Sequence, residues 1–129
     1  MKDDMLKKFS EEKGFSKHNN FEFVEVTENS AIIKANLTEN SMNPYNMVHG
    51  GLTFGLGDVA MGVLLKEKGR SAVTLNANIT YLKPGKGNYI TAKAEIVKYG
   101  KQTSCVKCNI YNEKEELIAI MDGNYFFID

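Results

Sequence analysis

The sequence predicts an α+β domain in which a curved antiparallel sheet wraps around one long helix. Three observations carry this expectation. One stretch, about residues 49–67, is apolar in nearly every direction of a 3.6-residue period. Everything after it alternates with period two and is cut by short turns, the pattern of strands that pair antiparallel. An ideal helix of about 19 residues is about 28 Å long, whereas a compact chain of this length has a radius of gyration of only about 14 Å. The helix must therefore cross the molecule, and the sheet must fold around it.

The elements follow in chain order. Met5, Leu6 and Phe9 stand among charges over residues 3–13, which suits a short amphipathic surface helix stopped at Gly14. Residues 1–18 thus form an N-terminal helical segment of a single domain spanning 1–129. From Phe21 the period is two, with Phe21, Phe23 and Glu25 on one face and Glu22, Val24 and Val26 on the other. Glu28-Asn29 turns the chain into a second β-rich run over 31–37, completing a hairpin. Residues 38–45 form a loop marked by Asn43-Pro44.

The long helix is apolar all round, as in a buried helix. It also carries Gly50, Gly51, Gly55, Gly57 and Gly62. Each interior glycine costs about 1 kcal/mol relative to alanine, which close packing must offset. Lys66, Glu67 and Lys68 make a polar last turn, and Gly69 closes it. Four strands follow, over 71–82, 89–99, 102–111 and 116–128. In the first, Val73, Leu75, Ala77, Ile79 and Tyr81 share one face, and Thr74, Asn76, Asn78 and Thr80 the other.

Composition removes several function classes. The 129 residues hold 16 Lys+Arg and 16 Asp+Glu, and a net charge of zero argues against nucleic acid as a partner. With 43% hydrophobic and 25% charged residues, the chain is an ordinary globular one. Met1-Lys2-Asp3-Asp4 begins no apolar leader, and the apolar run over 50–65 is too short for a bilayer and contains Asp58. The expectation is a cytoplasmic protein with no membrane partner. Cys105 and Cys108 are three apart on a strand, so their thiols diverge and a redox or metal pair is disfavoured.

Two features in and around the helix carry chemistry. His49-Gly50-Gly51 stands where the helix begins, and the first N–H groups of a helix lack intrahelical partners. Such an end can hold a carbonyl oxygen as it becomes negative, or the three residues can simply start and pack the helix. Asp58 lies in an apolar run, where an unpaired carboxylate is expensive. It is either hydrogen-bonded for structure or placed as a general base or nucleophile. Gly50 and Asp58 are eight residues apart, about 12 Å along one helix. Two groups acting on one carbonyl must lie within a few ångströms of each other. If both are catalytic, two antiparallel helices across a two-fold axis must bring them together, and the active unit is a dimer with two shared sites.

The segment Asn43…His49-Gly50-Gly51…Asp58, followed by Asn78-Ile79-Thr80-Tyr81-Leu82-Lys83-Pro84-Gly85, resembles the hotdog-fold acyl-CoA thioesterases of the PaaI-like type over about residues 20–128. The resemblance implies hydrolysis of an acyl-CoA thioester to a carboxylic acid and free coenzyme A, the coenzyme being part of the substrate and no cofactor or metal being needed. It casts the Gly50 N–H as oxyanion donor, Asn43 and His49 as orienting groups, and Asp58 of the partner subunit as the base or nucleophile. Thr74 matches the position of a hydroxyl that positions water. Gly51, the Lys83-Pro84-Gly85 turn, and Lys98, Gly100 and Lys101 at the next hairpin are candidates for contact with the coenzyme, the lysines through its phosphates. Phe54 and Leu56 are candidates for the acyl side or for plain core. The oligomer is a homodimer or homotetramer, since both packings fit the pattern. The competing readings are a hydratase or dehydratase on the same fold, a non-catalytic acyl-CoA sensor and a structural dimerisation module.

Overall fold

The computed structural model describes residues 2–129. Two helices, α1 (Lys2–Glu11) and α2 (Phe15–His18), precede the hairpin of β1 (Phe21–Val26) and β2 (Ser30–Asn36). A 3₁₀ turn at Glu39–Ser41 leads to α3 (Gly50–Glu67), then β3 (Ala72–Tyr81), β4 (Tyr89–Tyr99), β5 (Thr103–Asn112) and β6 (Leu117–Phe127). The strands form one antiparallel six-stranded sheet in the order β1-β2-β4-β5-β6-β3. Helix α3 packs against all six strands. This is the hotdog arrangement that the sequence led us to expect. Among the described residues no helix is long and apolar enough to cross a membrane.

The core lies between one face of α3 and the inner face of the sheet. Leu56, Ala60, Met61, Leu64 and Leu65 meet Ile33, Ile90, Val106 and Ile110, all fully buried. Cys108 sits among them on β5, and burial pushes its thiol up to about 12. Cys105 is on the opposite face of β5, so the two thiols point apart.

The helix departs from expectation in one respect. It is not buried all round: Phe54, Asp58, Val59, Gly62 and Val63 are only half-buried. A sheet covers one face of a helix, so among the described residues the second face of α3 is covered only in part, by Phe15 of α2 at Gly55 and by α1 across a cleft from Asp58 and Gly62. Two of its glycines are accounted for by neighbours. A side chain at Gly55 would run into the Phe15 ring, and one at Gly57 into Met121 and Ile110.

Two strands carry bulges that a strict alternation misses. In β1 the register shifts between Phe23 and Glu25, so Val26 is buried and Glu25 does not share the face of Phe21 and Phe23. In β3 it shifts between Thr74 and Asn76. An extra residue reverses which face follows. Thr74 and Tyr81 are seven apart and would face opposite ways on a regular strand, yet both reach α3. The N-terminal segment is two helices, with Gly14 (φ +103°) starting the second. Met5 and Phe9 dock α1 on the sheet, the Phe9 and Phe23 ring centroids 6.2 Å apart, while Leu6 is exposed.

Candidate active site

The start of α3 is built by His49. Its side chain caps the helix, with Nδ1 accepting the Gly51 N–H at 2.9 Å. With Nδ1 accepting, Nε2 is the ring nitrogen left to donate, on an exposed residue. The His49 carbonyl accepts from Leu52 (3.0 Å) and Thr53 (3.2 Å). Of the first four amides of the helix, Gly50 alone has no hydrogen-bond partner among the described residues. Gly51, by contrast, has spent its N–H on the cap.

Around the free Gly50 amide lies a cleft of about 380 Å³ lined by Asn43, Val48, Tyr81, Lys83, Pro84 and Gly85. Asn43 shapes the preceding loop, its Oδ1 accepting from the Tyr45 (2.9 Å) and Met47 (3.1 Å) amides. Its Nδ2 has no partner among the described residues and remains a donor in a residue of the cleft wall. The Tyr81 hydroxyl donates to the Gly50 carbonyl, and burial holds this phenol above its ordinary range, so it stays a donor. Gly85 is buried against Val48 and accepts the Val48 N–H at 2.9 Å, tying the loop before α3 to the strand end. The Lys83 ammonium pairs with Glu116, whose carboxyl is held below the usual range first by that hydrogen bond and then by Asn112.

Asp58 is held by two hydroxyls. Thr74 and Tyr125 each donate to Oδ1 at 2.7 Å, and Tyr125 also reaches the Asp58 carbonyl at 3.3 Å. Thr74 and Tyr125 stand opposite each other on β3 and β6, both turned toward the helix. Burial, and then the hydrogen bond and charge of Asp58, raise the Tyr125 phenol far above its ordinary range. It therefore remains a neutral donor. Oδ2 has no partner among the described residues, and Asp58 lines a second cleft of about 670 Å³ between α3, β3 and α1. An oriented carboxylate with one free oxygen beside a cavity can take a proton from water or attack an electrophile.

The two clefts share no lining residue. The chain thus carries Asn43, Gly50, Lys83, Pro84 and Gly85 together at one end of α3, and Asp58 with Thr74 part-way along it. Lys98, Gly100 and Lys101 line neither cleft. Gly100 makes the β4–β5 turn, where its N–H reaches Thr103 O at 2.9 Å and a side chain would strike that same oxygen. Leu56 is core, and Phe54 is half-buried beside it.

Sequence reasoning missed Tyr125. The signal was present: alternation along β6 puts Ala119, Met121, Gly123, Tyr125 and Phe127 on the inner face, and a buried tyrosine needs a partner for its hydroxyl. Because Tyr125 fixes the carboxylate, Tyr125→Phe is expected to lower kcat about 10–100-fold while leaving KM nearly unchanged, with the Thr74 bond retained. Steady-state kinetics on the folded variant check this, one neutral hydrogen bond to a charged group being worth about 1.5–3 kcal/mol.

Comparison with known proteins agrees with this architecture. The sequence model of the Thioesterase superfamily matches residues 45–119, more than half of the chain and all of α3. The Acyl-coenzyme A thioesterase PaaI of Escherichia coli is 29% identical over 103 residues, 79% of this chain and 74% of the relative. The E. coli PaaI structure superposes with a TM-score of 0.91 at 25% identity, covering 98% of this chain and 92% of that one. Human acyl-coenzyme A thioesterase 13 is 31% identical over 111 residues, 78% of this chain and 79% of the relative. The smu.793 protein of Streptococcus mutans, solved bound to acetyl CoA, is 29% identical with a TM-score of 0.82, covering 91% and 93% of the two chains. The fold and these matches define a thioester hydrolase. The chain belongs to the thioesterase superfamily, among its PaaI-like hotdog members.

Proposed function

We propose that this protein hydrolyses acyl-CoA thioesters at sites shared between two subunits, each site joining the Gly50 end of one α3 to Asp58 of the other. The observation that carries this reading is the pair of unsatisfied groups. A free amide and a free carboxylate oxygen stand about 12 Å apart along one helix, in separate clefts, each half of what a thioester needs. The relatives named for acyl-CoA thioesterase activity and the one solved with acetyl CoA support the substrate class. The part of α3 left half-buried supports the partner, as does the edge of β3, where Val73 and Leu75 are 47% and 56% exposed.

In this reading the thioester oxygen accepts the Gly50 N–H, reinforced by the positive end of the helix. Asn43 Nδ2 and His49 Nε2 orient the thioester. Acting as base, Asp58 takes a proton from water as the water oxygen bonds to the carbonyl carbon. The tetrahedral oxyanion then collapses, the C–S bond breaks, and coenzyme A leaves as a thiolate that is protonated by the Asp58 carboxyl. Acting as nucleophile, Asp58 Oδ2 itself forms the bond, the thiolate leaves, and water hydrolyses the resulting anhydride. Thr74 and Tyr125 hold Oδ1 in either course. Hydrolysis draws on water and side chains alone, so no cofactor enters. Lys83, with Pro84 and Gly85, and Gly51 border the coenzyme; Lys98, Gly100 and Lys101, whose turn stands beside Arg70 past the C-terminal end of α3, serve its phosphates only from the partner subunit. Free thiols and a charged, membrane-impermeant substrate favour the cytoplasm.

The test is release of free coenzyme A thiol over a panel of acyl-CoAs, run on wild type and on a mixed dimer. One subunit carries Asp58→Asn and the other Gly50→Pro with Tyr81→Phe. Each homodimer is expected to be inactive. The heterodimer retains one intact site of two and is expected to regain about half of wild-type turnover. No recovery would exclude the shared site. Tight acyl-CoA binding by wild type without thiol release would assign a binding protein instead.

A further inference from the structure

We propose that the cleft between α1 and the Asp58 face of α3 is the subsite for the acyl group, floored by Gly62 and walled by Met5 and Phe9, and that it takes an apolar acyl group larger than acetyl. The proposal rests on Asp58 being the carboxylate that works on the thioester. Gly62 is the observation that leads to it. A glycine inside a helix is destabilising relative to alanine. At Gly55 and Gly57 neighbouring side chains occupy the space a Cβ would need, but a Cβ at Gly62 would meet nothing within 4 Å. Its backbone is also ordinary helix, with no positive φ. Among the described residues nothing requires glycine there.

Gly62 stands four residues after Asp58, on the same helix face, and lines the same cleft. The missing side chain leaves room on the cleft wall one helical turn from Asp58. The surfaces flanking that room are apolar: Val59 and Val63 on α3, Val73 on β3, and Met5 and Phe9 on α1. Lys8 and Lys66 at the rim are matched by Glu11 and Glu12, so the rim offers no net charge to select a charged acyl end. Helix α1 lies outside the sheet and helix that build the fold, and it supplies the wall of this cleft opposite α3 and β3. The N-terminal segment is thereby a selectivity element rather than a solubilising decoration.

The full-length protein and its Gly62→Leu and Phe9→Ala variants are compared on acetyl-, hexanoyl- and benzoyl-CoA, together with thermal melting and mass by light scattering. Gly62→Leu is expected to fold with unchanged or raised thermal stability and unchanged mass. Its hexanoyl-to-acetyl and benzoyl-to-acetyl ratios of kcat/KM are expected to fall about tenfold or more, the scale of a filled hydrophobic pocket. Phe9→Ala, which opens the wall, is expected to shift the same ratios upward. Unchanged ratios in Gly62→Leu with turnover intact would overturn the subsite alone. Loss of the oligomer in Gly62→Leu would also overturn it, showing the space to be filled by the partner subunit. Absence of thiol release from all three esters by wild type would overturn the thioesterase reading and this subsite with it.

Discussion

Asp58→Asn is expected to lower kcat for acyl-CoA hydrolysis about a thousandfold while the fold and melting temperature stay near wild type. The amide replaces the carboxylate atom for atom, and its oxygen still accepts the hydroxyls of Thr74 and Tyr125 that meet Oδ1 at 2.7 Å. What disappears is the basic, nucleophilic oxygen, and general base or nucleophilic catalysis by a positioned carboxylate contributes about 10²–10⁴. Asp58→Ala is expected to show the same loss of rate plus a lower melting temperature. It removes the 2.7 Å acceptor of the Tyr125 hydroxyl, in a residue only 2% exposed, and leaves it the longer bond to the residue-58 carbonyl at 3.3 Å; losing a buried hydrogen bond to a charged group costs about 1.5–3 kcal/mol. The contrast separates the catalytic role from the structural one. Thiol-release kinetics and calorimetry on the two variants check it, and an Asp58→Asn protein with normal kcat would remove Asp58 from the chemistry. A single turnover in ¹⁸O-labelled water then divides the two courses, since label in the Asp58 side chain requires the anhydride.

Gly50→Pro, introduced in a Tyr81→Phe background, is expected to lower kcat about 10²–10³ with little change in KM. Removing one oxyanion donor has this magnitude. Proline is suited to the position for reasons that are local. Gly50 is the first residue of α3, where proline fits because its missing N–H has no helical partner to lose. The preceding His49 lies at φ −61° and ψ 132°, an extended conformation compatible with a following proline. The Tyr81 background matters because a side chain at Gly50 would approach the Tyr81 hydroxyl within 2.9 Å. Tyr81→Phe alone is the reference, and Gly50→Ala in the same background keeps the N–H and is the control for bulk. Equal rates for the proline and alanine variants would show that the amide takes no part in the reaction.

Both predictions use residues legible before any coordinates. A long run over 49–67, apolar in nearly every direction, located the helix, the period of two located the strands, and an aspartate amid apolar residues marked itself because burying a carboxylate is costly. Leucines and isoleucines at those periods have one good solution, a sheet curved around a helix. Elsewhere the periodicity misled. It placed Thr74 on the face opposite Tyr81, because a bulge adds a residue without altering composition, and hydrophobicity carries no mark of it. It also read α3 as buried on all sides, because an apolar side chain looks the same whether it meets its own sheet or another protomer.

The sequence by itself determined the helix, the strands, the identity of Gly50 and Asp58 as candidates, and their spacing, since these follow from local periodicity and helix rise. Tertiary structure alone decided the rest. The bulge at Leu75 turns both Thr74 and Tyr81 toward α3, Tyr125 arrives from the far end of the chain to fix one carboxylate oxygen, and α1 walls the cleft that Gly62 lines. These are meetings between segments up to 67 residues apart, and which oxygen is left free depends on distances that no local pattern encodes.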